Sequence, residues 1–217
     1  PIENGKISDI SRLISATLTI KTIQSLGGIT ILISHFGRPD GLYKEELSLK
    51  QVIPELENLL NCPVKFSSEL VGKNVIKKID NLIGGEILLL ENTRFFAEEE
   101  MNDKSFSIEL SKLGDIFCND AFSSSHRAHA STVGVSKLLP NCAGQLMKKE
   151  IDTLENVLKK PQKSLTAVVG GAKISTKLNL LLNLIKKVDY LIIGGGMANT
   201  FLFAKGLQIG KSLCEKN

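Results

Sequence analysis

Short apolar runs alternate along the chain with longer stretches whose apolar residues recur at helical spacing. The strand candidates are Ile29–Ser34, Glu86–Glu91, Asp115–Asn119, Leu165–Gly170 and Asp189–Gly194, with Val64–Ser67 a weaker one. They are near-continuous apolar runs rather than strict alternations, the pattern of parallel strands covered on both faces. Between them the spacing predicts amphipathic helices over Ser8–Leu26, Ser48–Leu60, Phe106–Leu113, Gln145–Lys159 and Lys173–Lys187. Strand and helix in repeated succession predict an α/β fold: a Rossmann-like parallel sheet with helices on both faces, then the start of a second α/β domain. The charged helix Gln145–Lys160 is stopped by Pro161 before the second series begins. It reads equally as a connector between domains and as an ordinary helix on the sheet surface.

Composition bounds the function without naming it. The 217 residues are 42% hydrophobic and 23% charged, with 18 glycines, as in ordinary globular proteins. At roughly 150 residues per domain, the length fits one large domain or one domain and part of another. No run approaches the ~18 apolar residues of a spanning helix. The opening stretch carries Glu3, Lys6, Asp9, Arg12 and Lys21, so neither a membrane span nor a secretory leader is expected. The net charge of +4 comes from lysines interleaved with acids, which argues against a nucleic-acid partner. Cys62, Cys118, Cys142 and Cys214 lie far apart without metal-ligand spacing, so reduced thiols in a cytoplasm are expected.

The arginines change the picture. Of 27 basic residues only four are Arg: Arg12, Arg38, Arg94 and Arg127. In a chain so rich in Lys, positions that keep Arg point to a need for its planar, bidentate fork. In open α/β sheets ligands bind past the carboxyl ends of the strands. His35-Phe36-Gly37-Arg38 follows the first strand, Asn92-Thr93-Arg94 the second, and Asp120 through His126-Arg127-Ala128-His129 the third. Three arginines and all the histidines therefore converge on one edge, and Arg12 starts the first helix within reach of it. Such groups repel one another, so the set favours a small, multiply charged anion whose oxygens take bidentate Arg bonds. The competing reading pairs these arginines with Asp40, Glu91 or Asp120.

The other candidates carry less. His126 and His129 lack a third metal ligand, and Cys118 has no base beside it. The acidic run Glu98–Glu100 reads as a solvated loop. In the second series, Gly170-Gly171-Ala172 leads to Lys173 and Lys177, four apart and so on one face if the helix has begun. Glycines that admit a ligand to the backbone, followed by a helix start, suit a phosphate chain. Gly194-Gly195-Gly196 lacks the third glycine of the dinucleotide fingerprint, leaving close packing and nucleotide contact evenly matched. With no nucleophile or metal set in view, phosphoryl transfer suits this inventory, because it depends on positioning and charge stabilisation.

Together these segments resemble the phosphoglycerate kinase family. The resemblance rests on Ser34-His-Phe-Gly-Arg-Pro-Asp-Gly41, Leu89-Leu-Glu-Asn-Thr-Arg-Phe95, Asn119-Asp-Ala-Phe122 and His126-Arg-Ala-His-Ala-Ser131. Leu146-Met-Lys-Lys-Glu150, Gly170-Gly-Ala-Lys173 and Ile193-Gly-Gly-Gly-Met-Ala198 follow in the family's order. The resemblance implies reversible phosphoryl transfer between 1,3-bisphosphoglycerate with ADP and 3-phosphoglycerate with ATP, by a cytoplasmic monomer. It implies a 3-phosphoglycerate site at Arg12, His35, Phe36, Gly37, Arg38, Arg94 and Arg127. Nucleotide contacts are implied at Gly171, Ala172, Lys177, Gly195 and Gly196, and catalytic roles for Arg12 and Lys173. Residues 1–144 then correspond to the glycerate-binding domain, 145–160 to the hinge helix, and 161–217 to the start of the nucleotide-binding domain. ATP or ADP with Mg2+ is the implied cofactor, with the metal and most nucleotide ligands outside this chain.

Departures from the family follow. A strand whose Asp and Asn touch the glycerate, interior to the family's sheet, precedes the residue matched by Pro1; the later acidic ligand and glycine-rich nucleotide loop follow Asn217. Ser123-Ser-Ser125 stands where the family has a small Gly-Thr-Ala stretch, and Thr93 where it has an apolar residue. A chain lacking those parts is expected to be a fragment, poorly folded and inactive alone; the alternative is a remnant that binds phosphorylated anions without catalysis.

Overall fold

The computed structural model describes residues 2–3, 6–159 and 164–215. A short antiparallel pair, β1 (Ile2–Glu3) and β2 (Lys6–Ile7), leads into α1 (Ser11–Ser25) and β3 (Thr30–Leu32). Then come α2 (Ile53–Leu60), β4 (Val64–Ser67), α3 (Lys73–Asp80), β5 (Ile87–Leu90), α4 (Ala97–Glu100), α5 (Lys104–Ser111), β6 (Phe117–Asn119) and β7 (Asn141–Ala143). Helix α6 (Gln145–Lys159) precedes β8 (Thr166–Gly170), α7 (Leu178–Leu184), β9 (Tyr190–Gly194) and α8 (Gly196–Ala204). All strand pairs after the first are parallel, so the α/β reading holds. The contacts divide the chain into two compact units, Pro1–Glu150 and Ile151–Asn217, with the division inside α6. Pro161 lies outside the described residues.

Strand β5 shows why the apolar run is continuous. It sits between β3 and β4, with Ile87 opposite both Thr30 and Val64. Its side chains alternate between faces. Leu88 and Leu90 join Val75 of α3 and Phe106 and Leu110 of α5 in one core. Ile87 and Leu89 join Ile20 of α1 and Leu56 and Leu60 of α2 in the other. Each such fully buried side chain is worth about 1.5–3 kcal/mol.

Several boundaries move for local reasons. Pro54 falls in the first turn of α2, where its missing N–H costs nothing, so the stretch before it forms a 3-10 turn, Leu49–Val52. Asp103 caps α5 by accepting from Phe106 N at 2.8 Å, which starts that helix earlier than its apolar pattern. Helix α3, the short α4, strand β7 and helix α8 were not expected from the pattern.

The first unit holds two parallel ladders among the described residues, β3-β5-β4 and β6-β7. Helices pack on both faces of β3-β5-β4. In the second unit Val169, Leu181 and Met197 form a core on one side of β8 and β9, while Val168 and Ile192 stay exposed on the other. Both faces of these strands carry apolar side chains, but the described residues supply helical cover for only one.

Candidate functional site

The parallel strands β3 and β5 end side by side, and a hydrogen bond from Thr93 N to Ser34 O (3.1 Å) ties their C-terminal loops together. Two buried polar side chains hold this edge. Glu91 accepts from Ser48 Oγ (2.6 Å), Leu49 N (2.8 Å) and Asn92 N (2.7 Å). The Asn92 amide donates to Phe36 O (2.7 Å) and Leu47 O (2.9 Å), and its oxygen accepts from Arg94 N (3.1 Å). Gly37 has φ +66°, and a Cβ there would lie 2.7 Å from Leu47 Cδ2, so glycine is favoured. Asn92→Ala should lower stability by about 2–4 kcal/mol, because it strands two buried carbonyls. Denaturant unfolding of the protein measures this; an unchanged midpoint would remove Asn92 from the scaffold.

Arg94 is buried against this scaffold. It donates from Nη1 to Gly37 O at 2.8 Å, and its Nε lies 3.0 Å from Glu100 Oε1, an ion pair without a well-aligned hydrogen bond. The partner is thus Glu100, not the Asp40, Glu91 or Asp120 that the pairing alternative named. Arg127 reaches across from the loop after β6, with Nη1 3.4 Å from His35 Nε2. Arginine can only donate, so Nε2 accepts and the imidazole proton sits on Nδ1.

The 126–131 loop rests on Glu99, which is 1% exposed. Its carboxylate accepts from Ser131 N (2.8 Å) and the Ser131 hydroxyl, and lies 3.7 Å from His129 Nδ1. The expected solvated acidic loop is therefore incorrect: residues 97–100 form α4, which turns one acid inward under the loop and leaves Glu100 to face Arg94. Successive residues of a helix point about 100° apart, so a run of identical acids hides which one is buried. Glu91, Asn92 and Glu99 were all missed as site supports.

His35 records the field of this cluster. Burial, then the charges of Arg94 and Arg127, hold its ring down to about 4, with His129 adding to and Glu100 opposing the shift. It is neutral at pH 7. Its native value lies below the roughly 6.5 of an unfolded histidine, so the unfolded state takes up more protons in between. The stability tied to this group is present above pH about 6.5 and is lost as pH falls through about 4. Proton NMR of the ligand-free protein should find the ring titrating near 4, rising when a multiply charged anion is added. A free-protein value of 6.5 or above would remove the cluster's positive field.

The remaining expected residues are less tightly gathered. Phe36 is half-buried against the α1–α2 core. Arg38 is exposed in the loop after β3, and Arg12 is exposed in the first turn of α1, near Asp9. No side-chain hydrogen bond or ion pair joins either arginine to the His35 cluster among the described residues, and the same is true of His126.

In the second unit the expected helix from Lys173 does not form there. A 3-10 turn, Ser175–Lys177, precedes α7, so Lys173 lies in the loop and does not share a helical face with Lys177. Lys177 Nζ donates to Gly170 O at 2.7 Å. The backbone N–H and hydroxyl of Ser175 bind the Glu215 carboxylate at 2.9 and 2.6 Å, holding Glu215 below the usual carboxylate range. This loop thus binds anionic oxygen, and Glu215 was not anticipated. Gly195, at φ +67°, brings its α-carbon so close that a Cβ would meet Gly171 O at 3.0 Å, and Met197 N donates to Gly171 O at 2.9 Å. The triglycine therefore packs the ends of β8 and β9 against each other. No group of three or more His, Cys, Asp or Glu side chains poised for a metal occurs among the described residues. No helix among them is long and apolar enough to cross a membrane.

Parallel strands whose ends collect arginine and histidine around a neutral imidazole, followed by a glycine-lined βα edge, define an α/β protein suited to phosphorylated anions. The sequence model described as phosphoglycerate kinase matches residues 1–217. The chain is 53% identical over 216 residues to the phosphoglycerate kinase of Ruegeria pomeroyi, covering 100% of this chain and 54% of that protein. It is 52% identical over 217 residues to that of Bradyrhizobium diazoefficiens, covering 100% and 54%. The solved phosphoglycerate kinase of Coxiella burnetii superposes with a TM-score of 0.81 at 42% identity, covering 100% of this chain and 54% of that one. That of Pyrococcus horikoshii gives 0.82 at 32% identity, covering 97% and 54%. The chain belongs to the phosphoglycerate kinase family, and it spans about half the length of the curated relatives it matches.

Proposed function

We propose that this chain supplies the 3-phosphoglycerate-binding part, and the beginning of the nucleotide-binding part, of a phosphoglycerate kinase. That enzyme moves a phosphoryl group reversibly between 1,3-bisphosphoglycerate with ADP and 3-phosphoglycerate with ATP. The observation that carries the reading is the Arg127–His35–Arg94 cluster at the ends of β3 and β5, a positive field held on a rigid edge.

In this reading His35 and Arg127 line the anion's seat, Phe36 and Gly37 shape it, and Arg38 and Arg12 bring exposed guanidinium forks to its oxygens. Arg94, already bound to Gly37 O and Glu100, contributes charge and holds the loop. Gly171, Ala172, Gly195 and Gly196 form the backbone edge for nucleotide phosphates, with Lys177 beside them and Lys173 serving the transferred group. Helix α6 is the hinge helix between the two parts. ATP or ADP with Mg2+ is the nucleotide partner in this reading, with the metal and most nucleotide ligands outside this chain. A cytoplasmic, monomeric enzyme acting in glycolysis accords with the family.

The second reading, a binding module without turnover, is favoured for the chain alone by the bare faces of β8 and β9. Calorimetric titration separates the two. The 217-residue chain should bind 3-phosphoglycerate and bind MgADP weakly, whereas a chain extended to the length of its relatives should bind both and turn over. In that longer chain Arg38→Lys should weaken 3-phosphoglycerate binding about tenfold, since a point charge replaces a bidentate fork. Unchanged affinity would remove Arg38 from the seat.

A further inference from the structure

Cys118 and Cys142 are separated in sequence, yet the parallel pairing of β6 and β7 sets them directly opposite each other. Opposed residues of a ladder project to the same face. Neighbouring strands lie about 4.8 Å apart, inside the roughly 4.4–6.8 Å between α-carbons that a disulfide spans. Cys142 is exposed and Cys118 half-buried behind it, and both are free thiols.

We propose that Cys118 and Cys142 form a dithiol site that reacts with low-molecular-weight disulfides of the glutathione class and closes to an intramolecular disulfide. Exposed Cys142 attacks first: its thiolate forms a bond to one sulfur of the reagent and expels the other half as a thiolate. Cys118 then loses its proton to solvent and attacks the Cys142 sulfur, releasing the second half. In sum, the two protein thiols are oxidised to one disulfide and the reagent is reduced to two thiols. Order follows from environment. Burial, and then the neighbouring Cys142, push the Cys118 thiol up to about 12. It is thus a poor first nucleophile, and masking Cys142 as a mixed disulfide removes the Cys142 charge that helps to raise it. The bond would staple β6, which leads into the loop bearing Arg127, to β7, which leads into α6. There Asp120 Oδ1 accepts from Met147 N at 2.9 Å and Gly144 N donates to Asn119 O at 2.9 Å.

The test incubates the native full-length protein with oxidised glutathione, alkylates the remaining thiols and maps peptides by mass spectrometry. Expected is equal loss of free thiol at 118 and 142 and a linked peptide joining them, while Cys62 and Cys214 stay alkylatable. Cys118→Ser should halt at a stable mixed disulfide on Cys142, and Cys142→Ser should leave position 118 at least tenfold slower to react. A mixed disulfide on Cys142 that persists in the wild-type protein, linkage through Cys62 or Cys214, or no reaction at either position would each overturn the proposal. The wild-type linked peptide decides the matter even where a variant fails to fold.

Discussion

Glu99→Ala should destabilise the protein by about 3–5 kcal/mol and, in the full-length enzyme, weaken 3-phosphoglycerate binding by at least about tenfold. The carboxylate is buried and holds both the backbone N–H and the hydroxyl of Ser131. Removing it leaves the part-buried donors of Ser131 without a partner and a cavity beneath the 126–131 loop. It also frees His129, which now stands 3.7 Å from the carboxylate. Arg127 meets His35 only because that loop is fixed, so the loss should appear as affinity as well as stability. Glu99→Gln keeps one acceptor oxygen and should recover part of both. Equilibrium unfolding and calorimetric titration give the two quantities separately. A Glu99→Ala protein that unfolds earlier but binds with unchanged affinity would reduce Glu99 to a structural support with no part in positioning Arg127.

How far the chain could be read without coordinates depends on what kind of signal each part carries. Strand β5 was legible because a run of Ile and Leu has one stable place, between two neighbours with helices on either side, and it took that place. The convergence of His35, Arg94 and Arg127 was legible because parallel strands put their following loops on one edge. Arg12 and Arg38 belong to the family's motif, but no side-chain hydrogen bond or ion pair among the described residues binds them to that cluster. What escaped was polar and buried. Asn92 and Glu91 satisfy backbone groups of loops more than forty residues away in sequence, and no local periodicity encodes such a partner. Helix α3 hid behind its lysines, although Val75, Ile76 and Ile79 already carried a helical stripe. At Lys173 helical spacing does not hold, because the chain first makes a 3-10 turn, Ser175–Lys177, before α7 begins. Thr93 shows the reverse case. The family pattern has an apolar residue there, and the buried Thr93 hydroxyl has no hydrogen-bond partner, so the site treats it as an apolar side chain.

The arginines divide into those already committed to protein partners and those still open, and this division predicts different mutant kinetics. Arg94 spends its fork on Gly37 O and Glu100, and Arg127 faces His35. Arg12, exposed at the start of α1, makes no side-chain hydrogen bond or ion pair among the described residues, and its charge is felt by Asp9. A guanidinium without a fixed ground-state partner is suited to charge that develops during transfer rather than to charge present beforehand. Arg12→Ala in the full-length enzyme should therefore lower kcat by about 10²–10³, while the Kd for 3-phosphoglycerate changes only a few-fold. Arg12→Lys restores the charge without the fork and should recover only part of the rate. Steady-state kinetics beside direct binding measurements distinguish the outcomes. If the Kd rises by the same factor as kcat/KM falls, Arg12 binds the ground state as tightly as the transition state, and its part is to hold substrate rather than to speed the transfer.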